Sequence, residues 1–184
     1  MKFIEYLKKK ITKKNYNTGF STVNQPCFDK NGNFLGWFSR SMATAIFVYC
    51  KDKDNNLYIL ASERGKGAAD FKGYWNCPCG YLEFGMTLLE NAITECLQET
   101  GILVSADEVE FMDFNDSITS NHQNVTFFYR LVVKNKTIDD FNFSHKYMEK
   151  NEVGEIKWIP LSEIDNYQWA FGHDNLIKNF FPKK

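Results

Sequence analysis

Arginine is scarce in this sequence, and the chain carries no strong charge of either sign. Only Arg40, Arg64 and Arg130 occur, and 22 basic side chains stand against 23 acidic ones, for a formal net charge of -1. A general nucleic-acid binder carries a strongly basic surface. The composition therefore predicts no general nucleic-acid binding.

Long apolar runs and a disulfide framework are also missing. Residues 1–10 intersperse lysines with single apolar side chains, which is unlike a signal peptide, and no stretch approaches the length of a transmembrane span. Five cysteines without framework spacing indicate reduced thiols. Cys77-Pro-Cys79 has no second pair of ligands near it in sequence, which disfavours zinc. We expect a cytoplasmic protein that does not bind membranes.

Apolar and aromatic residues, by contrast, are plentiful. With 184 residues, 43% hydrophobic and 16% aromatic, the chain can fill one sizeable core. Antiparallel hairpins mixed with two or three helices predict an α+β fold. We expect residues 1–40 to form an N-terminal helix and an irregular extension packed on the core, and residues 41–184 to form the domain itself.

The periodicity of apolar residues predicts where the elements lie. Helical spacing in residues 1–14 predicts an amphipathic helix, whereas residues 15–40 are polar and irregular, with a turn at Asn31-Gly32. Strands are expected at residues 43–50, 57–61, 109–114, 124–133 and 156–158. Two further helices are expected at residues 88–100 and 174–181.

One segment, residues 80–102, carries the candidate chemistry. Gly80 and Gly85 permit a tight loop whose backbone can approach a ligand closely. Thr87 and the glutamate three residues later form a capping box, which predicts that a helix begins there. Gly101 is the type of residue that ends a helix. The sequence thus predicts a glycine-containing loop followed directly by a helix.

Two carboxylates lie on one side of that helix. Glu95 and Glu99 are four residues apart, with Gln98 beside them. Like charges at this spacing cost about 0.2–0.5 kcal/mol unless a positive group lies between them. Mg²⁺ prefers oxygen ligands and keeps coordination positions open for a phosphate substrate. A solvated acidic face is the alternative, and the glycine loop just before the helix favours the metal site.

The segment resembles the Nudix box, G-x5-E-x7-R-E-U-x-E-E-x-G-U, where U is a bulky aliphatic residue. Gly80 matches the first glycine, and Glu95 matches the glutamate that follows the arginine. Gln98 and Glu99 take the two positions of the glutamate pair, and Gly101-Ile102 close the motif. The box therefore covers residues 80–102 without an insertion.

Three other segments also resemble the Nudix family. Residues 73–80 are similar to the strand and Pro-Gly-Gly turn that lead into the box. Residues 152–158 look like the family's E-x-x-E-x-x-W segment, and residues 170–174 like the phenylalanine-and-histidine motif that opens the last helix. The resemblance spans roughly residues 42–181. It implies an α/β/α sandwich around a mixed β-sheet.

Several positions depart from the family pattern, and those that bear on the loop and the metal site are as follows. Met86 replaces the first box glutamate, Thr94 the arginine, and Cys79 the second glycine of the preceding turn. The first glutamate and the arginine brace the loop and helix in the family, so Met86 and Thr94 can be one compensated change. Gln98 keeps an oxygen ligand but removes a charge. The resemblance therefore implies a weakened metal site.

The resemblance implies a metal-dependent pyrophosphohydrolase that acts on a nucleoside diphosphate linked to another moiety. Glu95, Gln98, Glu99 and the Gly80 carbonyl would bind Mg²⁺ (or Mn²⁺). The catalytic carboxylates would be Glu95, Glu99 and Glu152, any one of which could take the proton of the attacking water. The alternative is an impaired Nudix domain that binds nucleotides as a sensor or scaffold.

Three residues outside the box are candidates for substrate binding. Arg40 and Arg64 could contact a phosphate, although a surface ion pair is an equal alternative for each. His173 could reach the pocket, although a lone histidine more often caps or packs. The expected partner is a small nucleotide or a nucleotide-sugar ligand. Whether the protein forms a homodimer is left open by the sequence.

Overall fold

The computed structural model describes residues 25–38, 40–83, 85–117, 124–144, 146 and 151–181. The helix expected in residues 1–14 lies outside these residues. The chain divides into two compact units, one made of Met1–Met42 with Asp116–Val125 and the other of Ala43–Asn115 with Thr126–Lys184. None of the helices in the described ranges combines the length and apolar character needed to cross a bilayer.

The first unit contains a two-stranded antiparallel hairpin, β1 (Gln25–Phe28) and β2 (Phe34–Phe38). Asp29 caps its turn, because the carboxylate accepts hydrogen bonds from the backbone N–H groups of Asn31 (2.7 Å) and Asn33 (2.9 Å). Gly32 has a φ of 87°, which a turn glycine adopts easily. The predicted turn is confirmed. The expectation of irregular structure is wrong here, since the two segments form paired strands. They were not predicted because neither segment alternates polar and apolar residues.

The second unit is built on a seven-stranded sheet. Its strands are β3 (Met42–Lys51), β4 (Leu57–Arg64), β5 (Trp75–Asn76), β6 (Cys79–Tyr81), β7 (Glu110–Asn115), β8 (Val125–Thr137) and β9 (Val153–Pro160). The strand order is β5-β4-β3-β8-β7, and β6 also pairs with β3 while β9 also pairs with β4. The short strands β5 and β6 were not expected from the sequence, since each has only two or three residues.

Two α-helices accompany the sheet, α1 (Leu88–Thr100) and α2 (His173–Phe180). Short 3-10 helices occur at Ala106–Glu108, Ile138–Asp140 and Leu161–Asn166. The boundaries predicted for α1 are confirmed, with Thr87 as the N-cap and Gly101 in the left-handed conformation at its end. The capping box satisfies free N–H groups of the first turn, which stabilises this helix by about 1 kcal/mol.

The core lies on both faces of the sheet. Central strand β3 is buried on both sides, and its side chains alternate between two apolar clusters. Phe47 belongs to the cluster that contains Ile177 of α2, whereas Ile46 belongs to the cluster that contains Ala92 and Cys96 of α1. The sheet is thus covered by α1 on one face and α2 on the other. This arrangement confirms the α+β class and the α/β/α sandwich.

Candidate metal and nucleotide site

The loop before α1 is anchored by a buried amide. The Asn91 side chain is fully buried, and its Nδ2 donates to Thr44 Oγ1 of β3 at 2.9 Å. Its Oδ1 accepts the backbone N–H of Glu83 at 2.9 Å. Asn91 therefore ties the loop to both the helix and the sheet. These contacts fix the first turn of α1, on which the positions of the later carboxylates depend.

Glu99 is the most constrained carboxylate of this helix. Its Oε2 accepts hydrogen bonds from Ser62 Oγ (2.8 Å) and Asn76 Nδ2 (3.4 Å), and its Oε1 accepts one from the Cys79 backbone N–H (3.2 Å). The pKa of Glu99 is raised to about 8, mainly by burial and also by the Glu95 charge, although the hydrogen bonds from Cys79 and Ser62 lower it. The three hydrogen bonds therefore do not fully stabilise the charged form of Glu99 against burial.

Glu95 lies directly against Gly80. A Cβ added at Gly80 would lie 2.1 Å from Glu95 Oε1, so the carboxylate occupies the space that a side chain would need. This contact explains the glycine at the start of the segment, since any other residue would displace Glu95. It also brings one carboxylate of α1 against the backbone of β6.

These features fit a divalent cation. Two carboxyl side chains, Glu95 and Glu99, lie against consecutive residues of one strand, and the surroundings of Glu99 disfavour its charged form when no cation is near. In the part of the chain that the structure describes, no group of three or more His, Cys, Asp or Glu side chains could hold a metal. Further ligands would therefore be backbone oxygens, an amide or the substrate.

The sequence matches a known family over most of its length. The family model described as NUDIX domain matches residues 40–180, which is most of the chain. The protein belongs to the Nudix family. Comparison with curated proteins found no match.

Solved Nudix structures share the fold. The NUDIX domain of Shewanella oneidensis NrtR, complexed with ADP ribose, is 18% identical with a TM-score of 0.61, over 97% of this chain and 96% of that one. NrtR complexed with a 27mer DNA is 18% identical with a TM-score of 0.54, over 74% and 58%. A Francisella tularensis bifunctional NMN adenylyltransferase/ADP ribose pyrophosphatase, complexed with AMP and a Mn ion, is 17% identical with a TM-score of 0.59, over 97% and 45%.

Two of the Nudix box positions that this chain has replaced, Met86 and Gln98, lie toward solvent. Met86 is 37% exposed, Gln98 is exposed, and Thr94 is half-buried. The loop is held through Asn91 and Thr44 instead. This polar bridge is consistent with a compensated replacement of the family's glutamate and arginine at positions 86 and 94.

His173 lies on the opposite side of the turn that precedes the Nudix box. It is 2% exposed, and its Nδ1 accepts the backbone N–H of Cys77 at 3.0 Å. Burial, and to a smaller extent the charge of Arg64, lowers its pKa to about 3, so the ring is neutral. Its ring packs against Phe47 and Phe171. The structure therefore places His173 in the packing role, as a brace for the turn, with almost no surface for direct ligand contact.

Arg64 is at the end of β4 and makes the ion pair that the sequence left as an alternative. Its guanidinium bonds to Asp70 through Oδ1 (2.5 Å) and the backbone oxygen (2.9 Å), and its Cζ lies 4.9 Å from the ring centre of Phe171. Its charge lowers the pKa of Glu99, which indicates that it acts on the acidic pair. An aromatic neighbour and an acidic partner thus orient this cation.

The remaining candidates make local contacts. Arg40 belongs to the first unit, where its guanidinium donates to the backbone oxygens of Asp116 (2.8 Å) and Asn124 (3.0 Å). Glu152 is exposed, and its backbone oxygen accepts the N–H of Gly65 at 2.7 Å. Glu95, Glu99 and Gly80 are therefore the predicted site residues that the structure brings together.

Ser62, Asn76 and Asn91 were missed by the sequence reasoning. All three are buried polar residues, and each bonds to a site residue or to the loop beside it. A signal was present, since Ser62 and Asn76 interrupt short apolar stretches. A buried polar side chain requires a partner, and its cost when unpaired is about 1–3 kcal/mol.

Proposed function

We propose that this protein hydrolyses a diphosphate bond in a nucleoside diphosphate linked to another moiety, with the help of a divalent cation. The observation that carries the proposal is the contact of Glu95 with Gly80 beside a half-buried Glu99 that accepts the Cys79 N–H. This arrangement places two carboxyl groups against a strand backbone, which suits a cation that also binds phosphate oxygens.

Glu95, Glu99 and the Gly80 carbonyl would hold Mg²⁺ or Mn²⁺, and Gln98, which is exposed on the same helix, would turn toward the ion as a further oxygen ligand. When bound, the cation neutralises the charge that develops on the phosphate oxygens and lowers the pKa of a water. Ser62 and Asn76 orient Glu99.

The general base is one of three glutamates: Glu95, Glu99 or Glu152. Glu152 is favoured by its freedom from the hydrogen bonds that hold Glu99, and by its place beside the glycine loop at Gly65. Its removal would be expected to lower turnover without changing cation affinity.

A nucleotide or nucleotide-sugar is the proposed ligand class. Two structural neighbours support it, one solved with ADP ribose and one with AMP and a Mn ion. Arg64 is proposed to face the phosphates, because it is the cation whose charge reaches Glu99. The absence of general nucleic-acid binding stays a prediction, since the neighbour NrtR was solved with DNA.

The second candidate is a sensor that binds the nucleotide without turnover. Two observations favour it, namely the neutral Gln98 in the Nudix box and the pKa of about 8 at Glu99, which weakens cation binding at neutral pH. A sensor needs ligand affinity but not a fully charged metal site. The neighbour NrtR, solved with both ADP ribose and DNA, is consistent with this role.

Turnover on a panel of diphosphate-linked nucleosides, including ADP-ribose, tests the proposal. With Mg²⁺ or Mn²⁺, the wild type should release nucleoside monophosphate, and Glu95→Gln and Glu99→Gln should lose about 10²-fold or more in rate. Met86→Glu, Thr94→Arg and the exposed Glu108→Gln serve as folded controls. Near wild-type turnover in both glutamine variants would refute the mechanism. Thermal stabilisation by ADP-ribose without turnover would establish the sensor instead.

A further inference from the structure

Three aromatic side chains beside Arg64 have no role in the proposed chemistry. Phe71, Tyr74 and Phe171, here called the aromatic patch, meet ring to ring, with centroids 5.6 Å apart for Phe71 and Tyr74 and 5.1 Å apart for Phe71 and Phe171. Phe71 is 37% exposed and Phe171 is 39% exposed. A cluster that served only as core would be covered more completely, so this patch presents aromatic surface to solvent.

The patch lies at the end of the strand that carries the hydroxyl partner of Glu99. Ser62 and Arg64 are two residues apart in β4, so their side chains lie on the same face, about 7 Å apart along the strand. The paired strand repeats the pattern, because Asn76 pairs with Ser62 and the Tyr74 backbone oxygen accepts the N–H of Arg64 at 2.8 Å. Strand β4 therefore leads from Ser62, which bonds to Glu99, to Arg64, whose guanidinium lies against Phe171 of the aromatic patch.

The backbone at both phenylalanines is unusual. Phe71 has a φ of 49° and Phe171 a φ of 60°, in the left-handed region that favours glycine. Such conformations persist where the surrounding structure holds them, and they occur often at ligand sites. Here they bring two exposed rings together from separate loops. The Arg64 guanidinium lies over Phe171 and links the patch to strand β4.

We propose that the aromatic patch is the binding site for the base of the nucleotide ligand, with Arg64 between the base and the acidic pair. The inference rests on the proposed nucleotide function and adds the residues that select for a base. Stacking on aromatic side chains suits any nucleobase, because every base has a π-face. Along the site, the carboxylates come first, then the Arg64 cation, then the aromatic rings. A nucleotide has its groups in the matching order, with the phosphates at one end and the base at the other.

Calorimetry with AMP and ribose 5-phosphate in Mg²⁺ tests the site directly, because the two ligands differ only in the base. The wild type should bind AMP more tightly. Phe71→Gly and Phe171→Gly should weaken AMP binding about 5- to 100-fold and leave ribose 5-phosphate unchanged. Glycine is the suitable replacement, since it adopts these φ values without strain. Phe171→Tyr, which keeps the ring, should retain most of the AMP affinity.

Phe143→Ala is the matched control, because Phe143 is also 37% exposed and contacts Trp158 instead of the patch. It should leave both affinities unchanged. An unchanged preference for AMP in the glycine variants would overturn the base site while leaving the hydrolase intact. An equal loss of both ligands would also overturn it, since the patch would then only support the fold. A wild type that binds neither ligand would overturn the base site and the nucleotide function together.

Discussion

The turn at residues 75–80 is held from two sides by titratable groups, and the two sides differ sharply. On one side the Cys77 N–H donates to His173, whose ring packs among aromatic residues. On the other side the Cys79 N–H donates to Glu99, which also accepts from Ser62 and Asn76. Each group is an acceptor for one backbone N–H, but only the second is surrounded by polar donors.

The difference lies in what burial does to each group. Burial favours the neutral form of both, lowering the pKa of His173 to about 3 and raising that of Glu99 to about 8. A neutral imidazole already serves as the acceptor that the turn needs. A carboxylate loses its usual charge near neutral pH, and a nearby cation would restore it. The contact of His173 with Cys77 therefore needs no further partner, whereas the contact of Glu99 with Cys79 leaves a carboxyl group whose charged form a cation would stabilise.

The largest expected effect is a gain in stability when Glu99 is replaced. Its folded pKa of about 8 lies above the ordinary 4.5, so the folded state holds a proton that the unfolded state has lost between these values. Wild-type stability should therefore fall as pH rises from 4.5 to 8 in chelator. Glu99→Gln should escape this loss and gain on the order of 2–5 kcal/mol relative to the wild type between pH 5 and pH 9.

Urea unfolding in EDTA at both pH values measures this difference. The exposed Glu108→Gln provides the control and should follow the wild type at each pH. Adding Mg²⁺ at pH 9 should restore stability to the wild type alone, since the cation favours the charged carboxylate. If the stabilities of the wild type and the variant differ by the same amount at pH 5 and pH 9, the pKa of Glu99 is not raised in the folded state.

The opposite pH dependence is expected for His173. Its folded pKa of about 3 lies below the ordinary 6.5, so the unfolded state binds more protons as pH falls below 6.5. The contribution of His173 to stability is present above pH 6.5 and is lost toward pH 3. Wild type should lose about 2 kcal/mol between pH 6.5 and pH 5, and His173→Asn should lose clearly less. Parallel urea midpoints for the two proteins would contradict this interpretation.

The smallest effect contrasts two glycines of the box. Gly80→Ala would push its Cβ onto the Glu95 carboxylate, a flexible side-chain end, so stability should change by less than about 1 kcal/mol while Mg²⁺ affinity drops about tenfold. Gly85→Ala meets no atom within 4 Å but keeps a φ of 85°, so it should cost about 1–2 kcal/mol and spare the cation. Calorimetric Mg²⁺ titration with urea unfolding separates the two. The reverse pattern would place Glu95 away from the metal.

Signals carried by neighbouring residues predicted the helix α1 and its acidic pair, but they did not predict the hairpin of β1 and β2. The ends of α1 follow from Thr87 and Gly101, because caps act within one turn of the residues that form them. The acidic pair follows from helical spacing for the same reason. The hairpin of β1 and β2 was missed because pairing with a partner strand, and not an alternating pattern, defines it.

The surroundings of Glu99 could not be predicted from local patterns. Ser62 is 37 positions from Glu99 in sequence, and Asn76 is 23 positions away, so only the folded sheet brings them together. The same holds for His173, which reaches Cys77 across 96 positions. Sequence identified which helix carries the carboxylates. The tertiary contacts determine their pKa values, and hence their chemistry.

The amide of Asn91 gives the box loop an attachment that carries no net charge. Its two hydrogen bonds, to Thr44 and to the backbone of Glu83, take the place of contact between oppositely charged side chains. Mobile ions weaken exposed ion pairs but leave a buried bond between neutral groups almost untouched. The geometry of the loop and helix should therefore hold across a wide range of ionic strengths. The loop that leads into α1 should therefore keep its attachment to the sheet when the salt concentration changes.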